Sequence, residues 1–224
     1  MIEIKNLTKI YNVNKENEFQ ALSDINLIIN NNEMVAIMGK SGAGKSTLLH
    51  ILAGIDRATE GDVIIDNINL SSLKNNQLSE FRNNQVGIIM QDFQLMEYAT
   101  TLENVILPLY FRKMKNKKRL EAASELIYGV GLENHIKKPV NLMSGGEKQR
   151  VAIARALITS PSIILADEPT GSLDSENSQH IIDMLKRINK KGKTVIIITH
   201  DKDLANHMDR IIFLKDGKVI DEPN

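Results

Sequence analysis

Three short stretches carry the residues best suited to chemistry. The first is Gly39-Lys40-Ser41-Gly42-Ala43-Gly44-Lys45-Ser46, between the apolar run Met34 to Met38 and a helix-like segment, Ser46 to Leu52. A G-x-x-x-x-G-K-[ST] loop between strand and helix is the setting that gives this pattern its meaning. A backbone wrapped closely through Gly39, Ser41, Gly42, Ala43 and Gly44 turns its amide N–H groups toward phosphate oxygens, and the helix offers them its N-terminus. Lys45 brings a point charge to the β and γ phosphates. The Ser46 hydroxyl can ligate Mg²⁺, and Thr47 is placed to assist at the α phosphate. The second stretch is Ile163 to Ala166 followed by Asp167 and Glu168, an apolar run ending in two acids. At the carboxyl end of a strand, Asp167 would lie near the metal held by Ser46. Glu168, facing differently, suits a general base that polarises water. The third is Leu142-Met143-Ser144-Gly145-Gly146-Glu147-Lys148-Gln149-Arg150, which opens a helix that Ser144 can cap and whose glycines leave amides exposed. That is a second anion site in one chain. One nucleotide has little use for both, whereas two chains arranged head to tail would use each.

The elements that must position these residues follow from periodicity. Ile2-Glu3-Ile4 alternates, as does Ala21 to Ile29 before the turn cluster Asn30-Asn31-Asn32. Met34–Met38, Val86–Met90, Ile163–Ala166 and Thr194–Thr199 are continuous apolar runs of strand length, as expected of strands buried on both faces. Val63 to Ile65 is a further short strand, and Ile211–Leu214 and Lys218–Ile220 form a hairpin about Asp216-Gly217. From Thr101 to about Leu157 the periodicity is helical, and Ser178 to Ile188 reads as an amphipathic helix. The expectation is an α/β fold: a P-loop NTPase core with a mostly parallel sheet, an N-terminal antiparallel β subdomain and an inserted helical lobe. It divides one domain, 1–224, into a core at 1–91 and 158–224 and a helical part at about 92–157. The many Asn residues are dispersed and read as compositional bias.

Bulk properties narrow the function classes. The chain has 224 residues, with 28 Lys plus Arg against 28 Asp plus Glu, so no net field favours nucleic acid and any anion site must be local. With no cysteine, disulfides and thiolate metal sites are excluded. No basic-then-apolar leader opens the sequence, and no apolar run reaches the roughly 18 residues of a membrane span, so membrane work would need a separate anchor. His50, His135, His180 and His207 show no ligand spacing. The basic stretch Arg112 to Arg119 reads as a solvated helix end, with anionic lipid headgroups as the alternative.

Over essentially its whole length the sequence resembles the ATP-binding subunits of ABC transporters. The resemblance implies an ATPase using Mg²⁺ that pairs with a second copy of itself, sandwiching two ATP molecules. Such a pair powers a separate integral membrane permease from the cytoplasmic face. It sets the Ser144, Gly145, Gly146 and Glu147 segment of one subunit against the γ-phosphate bound by the other. Gln91 matches the glutamine that reaches Mg²⁺ and links to the membrane partner, and Asp174, in Ser172-Leu173-Asp174, matches the D-loop. His200 matches the histidine that contacts the γ-phosphate, and Tyr11 the aromatic that stacks on adenine. Ala36–Gly39, Val105–Leu109, Ala166–Ser175 and Thr199–Asp201 resemble the macrolide-export and lipoprotein-release branch, which implies export of a peptide, lipoprotein or drug. That branch also includes antimicrobial-peptide exporters and a cell-division member, so an ATP-driven regulatory scaffold that transports nothing is the alternative. A cassette acting on DNA or ribosomes is disfavoured by the neutral charge and single short domain. Glu147 stands where the commonest signature has Gln and would add negative charge beside a phosphate site. Asn32 replaces a turn Gly, and Lys40 and Ala43 replace the usual Pro and Ser.

Overall fold

The computed structural model describes residues 1–221; the last three residues of the expected domain lie outside the described residues. Strands β1 (Ile2–Tyr11), β2 (Phe19–Ile29), β4 (Glu60–Ile65) and β5 (Ile68–Asn69) form an antiparallel sheet in the order β2-β1-β4-β5. The second sheet contains β3 (Met34–Met38), β6 (Val86–Ile89), β7 (Ile163–Asp167), β8 (Thr194–Ile198), β9 (Arg210–Lys215) and β10 (Lys218–Ile220), ordered β10-β9-β3-β8-β7-β6. Every pairing in it is parallel except the β9–β10 hairpin.

The parallel strands are apolar throughout because both their faces are covered. On β7 and β8, Ile163, Leu165, Ile196 and Ile198 point toward the antiparallel sheet and α1 (Lys45–Leu52), where they meet Ile4, Leu22, Leu48 and Leu52. The intervening Ile164, Ala166, Val195 and Ile197 enter a second core on the opposite face. That core also takes residues of α3 (Thr101–Ile106), α4 (Asn116–Gly129), α5 (Gly145–Leu157) and α6 (Ser175–Lys190). A helix α2 (Asn75–Gln85) precedes β6, and the one-turn α7 (Lys202–Ala205) follows β8. Among the described residues no helix is long and apolar enough to cross a membrane.

Three features depart from expectation. β1 is longer than Ile2-Glu3-Ile4 suggests: register shifts lie between Ile4 and Leu7, Asn6 has φ 48°, and the period-2 signal breaks there. Helix α2 was not expected, because only Leu78 and Phe81 of its residues are buried and its polar sequence shows little periodicity. The basic stretch is not wholly solvated. Arg112 is half-buried and donates to the Asn83 carbonyl at 2.8 Å, and Arg119 donates to the Arg112 carbonyl at 2.9 Å while lying over the Tyr110 ring. The dispersed asparagines also acquire a role. Asn6, Asn12, Asn14, Asn32 and Asn67 all adopt positive φ, so they turn the chain where glycine otherwise would.

Candidate active site

Parallel pairing brings the carboxyl ends of four strands to one edge. Ile37 of β3 and Asp167 of β7 both pair with Ile198 of β8, and Ile89 of β6 pairs with Ala166. The loops that follow therefore emerge together: Gly39 onward, Glu168 onward, Thr199-His200, and Gln91. Ligands of open α/β sheets bind at such an edge.

Gly44 has φ 99°, and a Cβ there would lie 2.5 Å from the Ala21 carbonyl oxygen, so neither backbone shape nor space admits a side chain. The turn of the β9–β10 hairpin buttresses this loop. The Gly217 N–H donates to the Ala43 carbonyl at 3.1 Å, and its own carbonyl accepts from Ser23 N–H at 2.8 Å. Gly217 has φ 74° and lies against the Ala21 backbone, a support for which the sequence carries no signal beyond the hairpin itself. The Lys45 ammonium lies within the loop, donating to the carbonyls of Gly39 at 2.8 Å and Lys40 at 3.0 Å.

The Ser46 hydroxyl donates to Asp167 Oδ2 at 3.2 Å across the β3–β7 gap. Burial raises the Asp167 pKa, and the neighbouring Glu168 charge adds to the rise, only partly offset by Ser46, His50 and Lys45. A hard divalent cation fits this pair: it offers one hydroxyl and one carboxylate, the few oxygens from which Mg²⁺ is held when substrate phosphates and water supply the rest. Among the described residues no group of three or more His, Cys, Asp or Glu is placed to hold a metal ion.

Glu168 follows at φ 45°, a left-handed conformation uncommon for a non-glycine residue. Its N–H donates to the Ile198 carbonyl at 2.9 Å. Its carboxylate turns toward β8: the Thr199 hydroxyl donates to Oε2 at 3.1 Å, and Oε1 accepts from the His200 N–H at 3.1 Å and lies 2.7 Å from His200 Nδ1. In the sequence Thr199 is only the last residue of an apolar run, and nothing there signals this contact. Gln91 is exposed after β6, and its side-chain nitrogen lies 3.5 Å from where a Cβ on Gly171 would stand, beside the acidic loop.

Tyr11 closes β1. Its hydroxyl donates to Asp56 Oδ2 at 2.8 Å, and the Lys9 ammonium, itself 2.7 Å from Asp56 Oδ1, stands 4.6 Å from the ring centroid. Burial, reinforced by Asp56, raises the Tyr11 pKa, with Thr47 close enough to act in the opposite direction. The aromatic is thus anchored near Thr47 and covered by Lys9 on one face.

Ser144 caps α5 in a capping box: its hydroxyl accepts from Glu147 N–H at 3.3 Å, and Glu147 Oε2 accepts from Ser144 N–H at 2.7 Å. Glu147 also lies 3.2 Å from His135 Nε2 and 3.6 Å from the Lys138 ammonium. Burial opposes its ionisation, but the Ser144 amide, Lys138 and His135 outweigh burial and hold the carboxyl below its usual range. The extra negative charge is therefore largely spent inside the chain. Gly145 and Gly146 begin α5 against the loop before α6, with Asn177 Oδ1 only 2.3 Å from where a Gly146 Cβ would be. Asp174 caps α6, accepting from the Asn177 N–H and side-chain amide at 2.8 Å each. The Ser144 segment does not join the cluster around Ser46, Asp167 and Glu168 as a direct hydrogen-bond partner of any of them.

Comparison with known proteins decides the family. A family model described as ABC transporter matches residues 22–171. The chain belongs to the ABC transporter family. This ATP-binding cassette is 44% identical over 220 residues to the lipoprotein-releasing system ATP-binding protein LolD of Syntrophotalea carbinolica, covering 98% of this chain and 96% of that protein. It is also 44% identical over 220 residues to the macrolide export ATP-binding/permease protein MacB of Pasteurella multocida, but spans only 34% of that longer chain. Among solved structures, the dimeric post-hydrolysis state of the MJ0796 cassette bound to ADP and Pi, from Methanocaldococcus jannaschii, superposes with a TM-score of 0.91 at 44% identity, covering 100% of this chain and 98% of that one. The cassette is an ATP-binding subunit of mixed α/β fold with an antiparallel N-terminal sheet and a parallel-rich sheet, and its relatives agree with the macrolide-export and lipoprotein-release branch.

Proposed function

We propose that this cassette hydrolyses ATP as a head-to-tail homodimer and so drives a separate membrane permease that exports or extrudes a peptide, lipoprotein or drug. The carrying observation is the Glu168 carboxylate, fixed by Thr199 and His200 one residue beyond the Asp167–Ser46 pair. The loop from Gly39 to Thr47 binds the triphosphate, with Lys45 turning from its own carbonyls to the β and γ phosphates. Tyr11 takes adenine on the face opposite Lys9. Ser46 and Asp167, with Gln91, hold Mg²⁺, which when bound neutralises phosphate charge. Glu168 orients the attacking water and accepts its proton, and His200 steadies the carboxylate and reaches the γ-phosphate. Catalysis is then positioning plus electrostatic stabilisation. Ser144, Gly145, Gly146 and Glu147, with Asp174, serve the nucleotide of the partner subunit, which accounts for their separation from Asp167 within one chain.

A groove of about 890 Å³ beside β6, lined by Ile55, Val86, Pro108, Phe111, Arg112 and Arg155, suits the permease. Phe111 on its rim is a large apolar side chain that is 80% exposed. Arg155 donates from the groove's floor to the carbonyls of Phe93 and Gln94, just after Gln91, so a ligand there would touch the nucleotide loop through one side chain. The names of LolD and MacB favour transport over a scaffold that carries nothing. Glu168→Gln is expected to bind ATP, to hydrolyse it at least a hundredfold more slowly, and to accumulate as a dimer. A variant that elutes as a monomer with ATP and Mg²⁺ in size exclusion removes the sandwich.

A further inference from the structure

Gln149 is 1% exposed on α5, five residues after Ser144. Its side-chain N–H donates to the Pro169 carbonyl at 2.6 Å, and its Oε1 is buried with no hydrogen-bond partner among the described residues. A buried amide satisfied on one side only is no better for stability than an apolar side chain of the same shape. Its use lies in what the donor holds. Pro169 follows Glu168, whose left-handed backbone is uncommon for its type. The Glu168 N–H is anchored to β8 and its carbonyl accepts from Gly171 N–H at 3.1 Å, while Gln149 grips the next carbonyl along. The same α5 touches the other end of this segment, where Gly146 rests on Asn177 and Asn177 is held by Asp174. The segment from Glu168 to Asp174 is therefore clipped to α5 near both ends.

We propose that Gln149 is a positioning residue that couples the two nucleotide sites of the dimer, which rests on the head-to-tail reading above. Its helix is capped by Ser144, which serves the partner's nucleotide, and its amide holds the carbonyl of Pro169, directly after Glu168, which serves this chain's own. Closure of α5 on one nucleotide sets the general base at the other.

Gln149→Met and the shorter Gln149→Leu keep the helix packing, lose the donor and remove the stranded acceptor. Both are expected to melt no lower than the wild type. Phosphate release should fall by about ten- to a hundredfold, since a reacting group misplaced by about 1 Å costs up to about a hundredfold, while the ATP concentration at half-maximal rate changes little. The Hill coefficient for ATP should fall from about 2 toward 1. A purely structural Gln149 would lower the melting temperature and leave the Hill coefficient of the folded fraction unmoved, so that pattern overturns the proposal, as does wild-type rate and cooperativity in either variant. Glu168→Gln run alongside separates the failures. If it forms no ATP-dependent dimer, the sandwich and the coupling fall together. If it dimerises and the Gln149 variants still behave as wild type, only the coupling falls.

Discussion

The carboxylate of Glu168 is held from the β8 side by a threonine and a histidine rather than by the lysine and serine of the phosphate loop. Thr199 is fully buried, and its oxygen also accepts from Asp201 N–H at 3.0 Å, so its hydroxyl proton is directed at Glu168 Oε2. A hydrogen bond to a charged group contributes about 1.5–3 kcal/mol, which corresponds to a roughly ten- to hundredfold effect if it matters only in the transition state. Thr199→Val keeps the volume and removes the donor. We expect its kcat for ATP hydrolysis to fall by about that factor with KM little changed; steady-state phosphate release measures both, and a rise in KM at constant kcat would show that Thr199 acts on binding instead. Asp167 and Glu168 were legible in the sequence because they end an apolar run. Thr199 and Asp56 were not, because what each touches depends on a strand or loop brought close only by folding: β7 against β8 for Thr199, β1 against the turn after α1 for Asp56 and Tyr11.

Strands with continuous apolar runs were legible at the level of elements, since burial on both faces leaves a simple signature. Elements whose identity rests on polar contacts were less so. Helix α2 has two buried side chains and a polar remainder, and β1 loses its alternation at the Asn6 turn. Helix α5 shows the same limit at its start. Ser144 is recognisable in the sequence as a cap, whereas the value of the Glu147 charge rests on its place as the reciprocal capping partner in the fold. That cap makes a pH prediction with a definite sign. The folded-state pKa of Glu147 is depressed, so its contribution to stability is present above the unfolded carboxyl pKa of about 4.3 and is lost as pH falls through the folded value. Glu147→Gln retains an acceptor for the Ser144 N–H but loses the charge that pairs with His135 and Lys138. The variant should be less stable near neutral pH by about 1 kcal/mol or less, the scale of a cap or exposed ion pair. Its disadvantage should shrink as pH falls below about 4.3, through the carboxyl range. Thermal melts of both proteins below about pH 4.3 measure this, and a gap that widens as pH falls through that range would contradict the sign.

The proposed function gives two surfaces of the molecule different tasks. The edge formed by the carboxyl ends of the parallel strands gathers the residues proposed to meet nucleotide, and the groove beside β6 gathers apolar and basic ones. With 28 basic and 28 acidic residues the chain has no global field to steer a partner, so recognition must come from local surface. Phe111 is the most exposed apolar side chain of the groove, standing beside Arg112 and Lys113. An aromatic that fills a pocket in a partner commonly carries 2 kcal/mol or more of binding, which is a loss of about thirtyfold on truncation. Phe111→Asp should therefore lose the permease when the cassette is purified from detergent-solubilised membranes and its companions are identified by mass spectrometry. Because the side chain is 80% exposed, the isolated variant should melt at the wild-type temperature. Retention of the same membrane protein at wild-type yield would place the docking surface elsewhere. Loss of the partner together with a lowered melting temperature would assign Phe111 to the packing of the segment before α4 instead. A clean loss, with melting unchanged, ties the groove to the membrane and leaves Arg155, which reaches from its floor to the loop after Gln91, as the route from docking to nucleotide.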